Sequence, residues 1–264
     1  MPRRPDFGTR PARARPKLPQ VAGRLVAGLQ PVREAILAHG RRVTRVSIEQ
    51  GSSPRLEAVG RFATDHGVPE LTREPRALLD ALTEGTTHQG VVAWAPELSL
   101  VALSELLRDA SLLGIVLDGI SDPQNFGAVV RSAVGIAGAA IVWGEHASAP
   151  LSLATFRASA GAVEQARLCR VPALASALAM AHEAGIQVVG LEPQADRALR
   201  ELDLTAPTLL VLGSEGEGMS RSVRRSLSAS ARLAQSGRIA SLNASVAAAI
   251  ALYEASNQRL IKGS

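Results

Sequence analysis

The sequence predicts an α/β protein made of two successive units, and three observations predict it. Hydrophobic residues make up 46% of the 264-residue chain and aromatics only 3%, so the core must be built from Ala, Val, Leu and Ile. Continuous apolar runs of strand length, such as Leu112–Leu117 and Thr208–Leu212, alternate with segments of helical periodicity. A short, less patterned stretch, Pro96–Ser111, divides this alternation in two, which gives residues 21–96 as one domain, 97–111 as a linker and 112–264 as a second domain.

Residues 1–20 are rich in Pro and Arg and almost free of apolar side chains. Such a segment cannot offset its chain entropy by burial, and it is expected to form a disordered basic arm. In the first unit, Pro31 suits the opening turn of a helix running toward Ala38. Val43–Ile48 alternates as a strand does. Leu56–His66 reads as a helix stopped by Gly67 and Pro69, Arg76–Leu82 as another, and Gly90–Ala95 as a strand. The spacing thus predicts a small αβαβ-like unit.

In the second unit, Leu112–Leu117 reads as a strand buried on both faces. Asn125 is expected to cap a helix that ends at Gly138. Ala139–Trp143, Ile186–Leu191, Thr208–Leu212 and Ala231–Ala234 read as further strands, with helices at Ala175–Ala184 and Ser220–Leu227. Ser241 is expected to cap a long Ala-rich helix reaching about Leu260. Strands alternating with helices in this way imply a parallel sheet covered on both faces.

Charge and cysteine content narrow the function classes. The net charge is +5 and the isoelectric point near 10.5, a balance that favours a polyanionic partner such as nucleic acid. Cys169 is the only cysteine, so an intramolecular disulfide and a cysteine-based zinc site are excluded. No window approaches the roughly 18 apolar residues of a membrane span. The N-terminus lacks the apolar core of a secretory signal. A cytoplasmic protein without a membrane partner is expected.

Three loops of the second unit follow a strand and precede a helix, the edge at which open α/β sheets bind ligands. The first, Asp118–Arg131, carries Asn125 and a lone Arg131 in an otherwise apolar helix. A buried guanidinium needs a partner, so Arg131 is expected to meet a ligand or a carboxylate, on one face with Asn125. The second, Gly213–Ser220, sets Gly213, Gly216 and Gly218 around Glu215, with glycines that allow close backbone approach. It has neither the spacing of a dinucleotide site nor the lysine of a P-loop, so it suits a ligand without phosphates; S-adenosylmethionine is one. The third places Ser241, Asn243 and Ser245 at a helix start. His88 is expected to be structural, and His146 and His182 lie outside these loops.

Taken in order, Asn125-x-Gly-x-x-x-Arg131, the Gly213-Ser-Glu-Gly-Glu-Gly218 loop and Ser241-Leu-Asn-x-Ser-Val-Ala247 resemble the three motifs of the SpoU/TrmH family of RNA 2′-O-methyltransferases. Residues 25–36 and 87–93 are similar to the ribosomal-protein-like substrate domain of its rRNA guanosine branch. The resemblance implies a Rossmann-like, trefoil-knotted α/β domain of the SPOUT class, preceded by a small ribosomal-protein-like α/β domain. It also implies S-adenosylmethionine as cofactor, RNA as substrate and a homodimer. By motif, Arg131, Asn125, Glu215, Ser241 and Asn243 form the catalytic set. Gly213, Glu215, Gly216, Gly218, Leu233, Gln235, Leu242 and Asn243 line the cofactor site, and no metal is implied. The family assigns Arg131 as general base, whereas an arginine that stays protonated past pH ~12 would instead stabilise developing charge. Two departures stand out. Leu233-Ala-Gln235 replaces the usual Ile-Pro-Met, and Ala244 replaces Val. A ribosome-assembly protein with weak or no transferase activity, and a tRNA ribose methyltransferase, are the alternative readings.

Overall fold

A computed structural model describes residues 21–51, 53–146, 151–235 and 241–263. The expected basic arm, residues 1–20, lies outside the described residues.

The first unit is a four-stranded mixed sheet in the order β1-β4-β2-β3, formed by Arg24–Ala27, Arg45–Glu49, Leu71–Glu74 and Val91–Ala95 in chain order. Helices α1 (Leu29–His39), α2 (Pro54–Asp65) and α3 (Arg76–Leu82) connect them. Two of the four strands are additions to the expected αβαβ pattern. β1 is only four residues long and runs into the apolar pattern of α1, separated from it by Gly28 at φ 105°. β3 has a single apolar residue, Leu71, because it is an edge strand pairing only with β2. The centre of the sheet is β4, buried at all five positions. His88 is structural as expected: its Nε2 lies 2.9 Å from Asp80, and its Nδ1 accepts the Gly90 amide at 3.0 Å.

Residues 97–111 are not a free connector. Leu100 pairs with Leu168, helix α4 (Leu103–Leu106) follows, and Leu106 is buried in the core of the second unit. The segment ends on Asp109, which accepts from the Ser111 amide at 2.9 Å and hydroxyl at 2.7 Å and from Arg167 at 2.8 Å.

The second unit is a six-stranded sheet in the order β10-β8-β9-β5-β6-β7, parallel throughout. Its strands are β5 (Leu113–Asp118), β6 (Ala140–Gly144), β7 (Leu168–Val171), β8 (Gln187–Leu191), β9 (Thr208–Gly213) and β10 (Ala229–Ala231). Helices α5 (Pro123–Ser132), α6 (Leu153–Ala158), α7 (Leu174–Glu183), α8 (Arg221–Arg224) and α9 (Ala244–Gly263) complete it. Aliphatic side chains form a core on each face of the sheet, as a fully covered parallel sheet requires. The short elements β7 and α6 were not expected from the sequence.

Two helix starts differ from expectation. The N-cap of α5 is Asp122, whose carboxylate accepts from the amides of Gln124 and Asn125 at 3.1 and 3.3 Å; Asn125 sits inside the first turn. The N-cap of α9 is Asn243 and not Ser241: its Oδ1 accepts from the Ser245 and Val246 amides at 2.9 and 3.4 Å. The far end of α9 is pinned by Arg259, which donates to the carbonyls of Ser111, Leu112, Leu204 and Ala206 at 2.7–2.9 Å. Helix α5 continues through a π-turn (Ala133–Ala137) and stops at the expected Gly138, at φ 58°.

Asp109 supplies a test of the docked connector. Hydrogen bonds from Ser111, then from Arg167, hold its carboxyl at about 2, below the ordinary carboxylate range. A folded-state value below the unfolded one stabilises the protein above the unfolded pKa, and that stabilisation fades as pH falls through ~4 toward 2. Asp109→Asn is therefore expected to lower unfolding free energy at pH 7 but hardly at pH 2, as measured by urea titration at both pH values.

Candidate active site

The site lies where the sheet reverses its order. β5 is flanked by β6, which follows it, and by β9, far later in the chain. Pairing sets Asp118 at the end of β5 opposite Gly213 at the end of β9, so the loops leaving both strands emerge side by side. That crevice is the general ligand site of open α/β sheets.

The loop after β9 folds back as a tight hairpin. Ser214 and Gly218 exchange backbone hydrogen bonds at 3.1 and 3.0 Å. Asp118 fastens its far end by accepting the Ser220 amide at 2.6 Å. Gly213 has no room for a side chain: a Cβ there would lie 2.2 Å from the carbonyl carbon of Gly218 and 2.3 Å from the Met219 nitrogen. Gly216 and Gly218 adopt φ 90° and 70°, the left-handed region that favours glycine.

This hairpin carries Glu215 to the other two motifs. Glu215 Oε1 accepts from Asn243 Nδ2 at 2.8 Å, the Ala244 amide at 3.1 Å and Asn125 Nδ2 at 3.2 Å. Asn243 Nδ2 also donates to Asn125 Oδ1 at 2.9 Å. Asn243 thus works at both ends: its oxygen caps α9 and its amide group ties the two other loops together. Capping of α5 by Asp122 leaves the Asn125 side chain free for this cluster.

Beside the cluster is a cavity of about 410 Å³, within the range of small-molecule and cofactor sites. Of the residues assigned to the cofactor from motifs, Gly213, Glu215, Gly216, Gly218, Leu233, Gln235 and Leu242 line it; Asn243 does not, and reaches it only through Glu215. Ser241 lines the cavity too. Sequence reasoning missed the wall made by Leu191, Glu192 and Pro193. The loop after β8 leaves the same sheet edge, so the rule that singled out the other loops applied to it as well. Glu192 is held there by Arg224 Nε at 2.7 Å and the Ser230 hydroxyl at 2.8 Å.

The charge of the lining is one-sided. Among the described residues it contains Glu192, Glu215 and Glu217 and no Lys, Arg or His. Glu192 is neutralised by Arg224 from behind the wall, while no ion pair holds Glu215 or Glu217 among the described residues, so the lining disfavours phosphates and suits a cationic ligand. The aliphatic remainder, from Leu191, Leu212, Leu233 and Leu242, suits a flat apolar group.

Arg131 stands apart from this cluster. It is exposed and makes no hydrogen bond or ion pair among the described residues. Six residues is about 1.7 helical turns, which leaves Arg131 and Asn125 about 120° apart on α5 rather than on one face. The carboxylate partner expected for Arg131 is not found within the described chain, because exposure to solvent removes the need for one.

An all-parallel sheet with a glycine hairpin, an acidic cavity and a polar cluster at its switch point defines an α/β protein of the class that binds a small molecule beyond the carboxyl ends of its strands. Comparison with known proteins identifies it further. Residues 112–253 match the model of the SpoU rRNA Methylase family, and residues 25–100 match that of the RNA 2′-O ribose methyltransferase substrate-binding domain. The chain belongs to the SpoU rRNA Methylase family of RNA 2′-O-ribose methyltransferases. It is 36% identical to an uncharacterised tRNA/rRNA methyltransferase of Mycolicibacterium smegmatis, over 89% of this chain and 76% of that one. It is 35% identical to the 23S rRNA (guanosine-2′-O-)-methyltransferase RlmB of Pseudomonas putida, over 90% and 97%. The crystal structure of the SpoU methyltransferase AviRb from Streptomyces viridochromogenes with AdoMet superimposes with a TM-score of 0.72, at 26% identity, covering 90% of each chain. The fold class expected from the motifs, a parallel α/β domain of the SpoU methyltransferase type behind a small ribosomal-protein-like one, is the fold found here. The return of the chain from β10 to α9 passes through residues 236–240, which lie outside the described residues.

Asn243 offers a separation of fold from function. Asn243→Ser keeps a good N-cap for α9 while removing the amide that joins Glu215 to Asn125. The expected result is a stability change below ~1 kcal/mol with methyl transfer reduced about 10²-fold, the scale of one lost preorganised group. Thermal unfolding and single-turnover methylation of the same preparation check both.

Proposed function

We propose that this protein transfers a methyl group from S-adenosylmethionine to the ribose 2′-hydroxyl of a guanosine in large-subunit ribosomal RNA, as a cytoplasmic homodimer. The observation that carries this reading is the Asn125–Glu215–Asn243 cluster set on the rim of the acidic cavity. The substrate-domain match and the likeness to the guanosine methyltransferase of Pseudomonas putida, nearly end to end, support the rRNA target. The domain assignment is part of the proposal: residues 21–96 select RNA, and residues 112–264 carry the cofactor site.

The residues present fit the cofactor. The backbone of Gly213–Gly218 and the side chains of Leu191, Leu233 and Leu242 would enclose its adenosine, and the acidic lining favours its positive charge. Bound there, S-adenosylmethionine supplies an electrophilic methyl group on a sulfonium. Gln235, in place of a usual apolar residue, adds a polar wall. Among the described residues no histidine touches the cluster, and the Glu215 oxygen that faces it already accepts three hydrogen bonds. In this reading Asn125 holds the ribose, and Arg131, which makes no hydrogen bond or ion pair among the described residues, holds the adjacent phosphate and stabilises the alkoxide as the hydroxyl loses its proton.

The dimer rests on the surface of α9. Val246, Ile250 and Tyr253, at helical spacing, are 46%, 44% and 64% exposed, and Leu260 and Ile261 continue the apolar surface. Such a contiguous apolar face needs a cover, and it begins one turn from Asn243.

Three measurements test the proposal. Incubation with labelled S-adenosylmethionine and either rRNA or tRNA, followed by mapping of 2′-O-methyl groups, is expected to label a single rRNA guanosine; labelling of tRNA alone would reject the rRNA target. Arg131→Ala is expected to lose about 10²-fold or more in single-turnover rate, and Arg131→Lys to retain part of it if charge is what matters. Ile250→Glu is expected to shift the protein from dimer to monomer in sedimentation at micromolar concentration.

A further inference from the structure

The two units meet through an interface that the three motifs do not predict. Glu164, in the short helical segment Ala162–Gln165 before β7, has a fully buried side chain. It pairs with Arg24 at the start of β1, itself only 8% exposed, and with Nε2 of His39 at the end of α1, 2.9 Å away. The Arg24 guanidinium also stacks over Phe156 of α6, 4.8 Å from the ring centre. Beside this pair, Gln165 donates to Glu34 at 2.7 Å. Gly161 lets α1 come close, since a Cβ there would lie 2.7 Å from Glu34 Cβ and 2.9 Å from Pro31 Cα. Leu153 of α6 packs against the second face of the small sheet, beside Trp94 and Leu79.

The contact is continuous with the active site. Helix α6 lies against α5 at Gly127, where a Cβ would be 2.5 Å from Ala158 Cβ and 2.7 Å from the Thr155 carbonyl oxygen. Gly127 is two residues from Asn125. The small unit is thus fixed to α6, and α6 is seated backbone-close on the helix that carries Asn125.

The chemistry of the latch favours orientation over adhesion. Arg24 Nε and Nη1 and Glu164 Oε1 are buried without hydrogen-bond partners. A buried ion pair left partly unsatisfied contributes little net stability compared with apolar residues of similar volume, but its contacts are directional and favour one orientation of the two units.

We propose that Glu164 is a positioning residue: with Arg24 and His39 it locks the RNA-selecting unit in one orientation relative to Asn125, Glu215 and Asn243, so that a structured RNA held by the first unit presents its ribose to the site of the second. This rests on the function proposed above. Two variants test it, Glu164→Gln and the double variant Arg24→Met with Glu164→Leu, which removes both charges and leaves no unpaired one. The KM for an rRNA fragment is expected to rise about tenfold or more in both. Turnover at saturating RNA and the dissociation constant for S-adenosylmethionine should stay within about threefold of wild type. Small-angle scattering of the RNA-free protein should show a wider range of separations between the units. A KM within about threefold of wild type in both folded variants, a parallel loss of cofactor affinity, or unchanged scattering would overturn the proposal. Failure of the wild-type protein to methylate the rRNA fragment would instead reject the functional reading, and the scattering comparison, which uses no RNA, would still decide the latch.

Discussion

The pairing of β5 with β9 is the constraint on which the rest of the site depends. These strands are separated by the whole of β6, β7 and β8 in the chain, yet they hydrogen-bond along their full length, Leu113 with Thr208 through Asp118 with Gly213. Side-chain direction in a strand has period two, so a slip of one residue would exchange the side chains that the slipped strand sends to the two covered faces of the sheet. Burial of Ile115, Leu117, Leu210 and Leu212 on one face therefore fixes the register. The register in turn fixes which residues leave the sheet together. Asp118 can then secure the glycine hairpin at Ser220, and Glu215 arrives within hydrogen-bonding distance of Asn125 and Asn243.

The cluster shows how one interaction serves structure and chemistry at once. A helix N-terminus presents unpaired amides that need acceptors. In α9 they are met by Asn243 Oδ1 and by Glu215, which takes the Ala244 amide. The same two side chains hold Asn125, so the site is organised by satisfying backbone groups that the fold must satisfy in any case. The carboxylate also sits at the positive end of the α9 dipole, where negative charge is stabilised. Arg259 anchors the opposite end of that helix to four carbonyls at the other edge of the sheet, so α9 is fixed at both ends and its N-terminus cannot drift along the crevice.

The main strands and helices of the second unit were legible because long apolar runs bounded by glycine and proline leave little ambiguity. The short elements were not. β1 merges with a helical pattern, β3 is an edge strand with one apolar residue, and β7 gains its place from pairing with β6 rather than from its own composition. The docking of the linker was not legible for a similar reason: Leu103, Leu106 and Leu107 are too few to signal a core segment until the sheet beneath them is known. The caps of α5 and α9 were each displaced, by three and two residues, because Asp122, Asn125, Ser241 and Asn243 all have capping side chains. Which one caps is settled by where the helix meets the sheet, not by residue type.

By itself the sequence determined the α/β class, the two-unit order and the residue types at the strand ends: Asn125, Glu215 and Asn243, and the glycines that let the hairpin fold. Those depend on local periodicity, on glycine's backbone freedom and on motif order, all of which are written along the chain. Tertiary structure alone decided that the three polar residues share one carboxylate oxygen, that Glu192 and Pro193 complete the cavity wall, and that Arg131 is exposed. It alone decided that Arg24 and His39 form one buried contact with Glu164, more than a hundred residues further along the chain. Long-range pairing follows from how sheets and helices stack to bury apolar surface. That stacking is a property of the whole chain and leaves no mark at any single position.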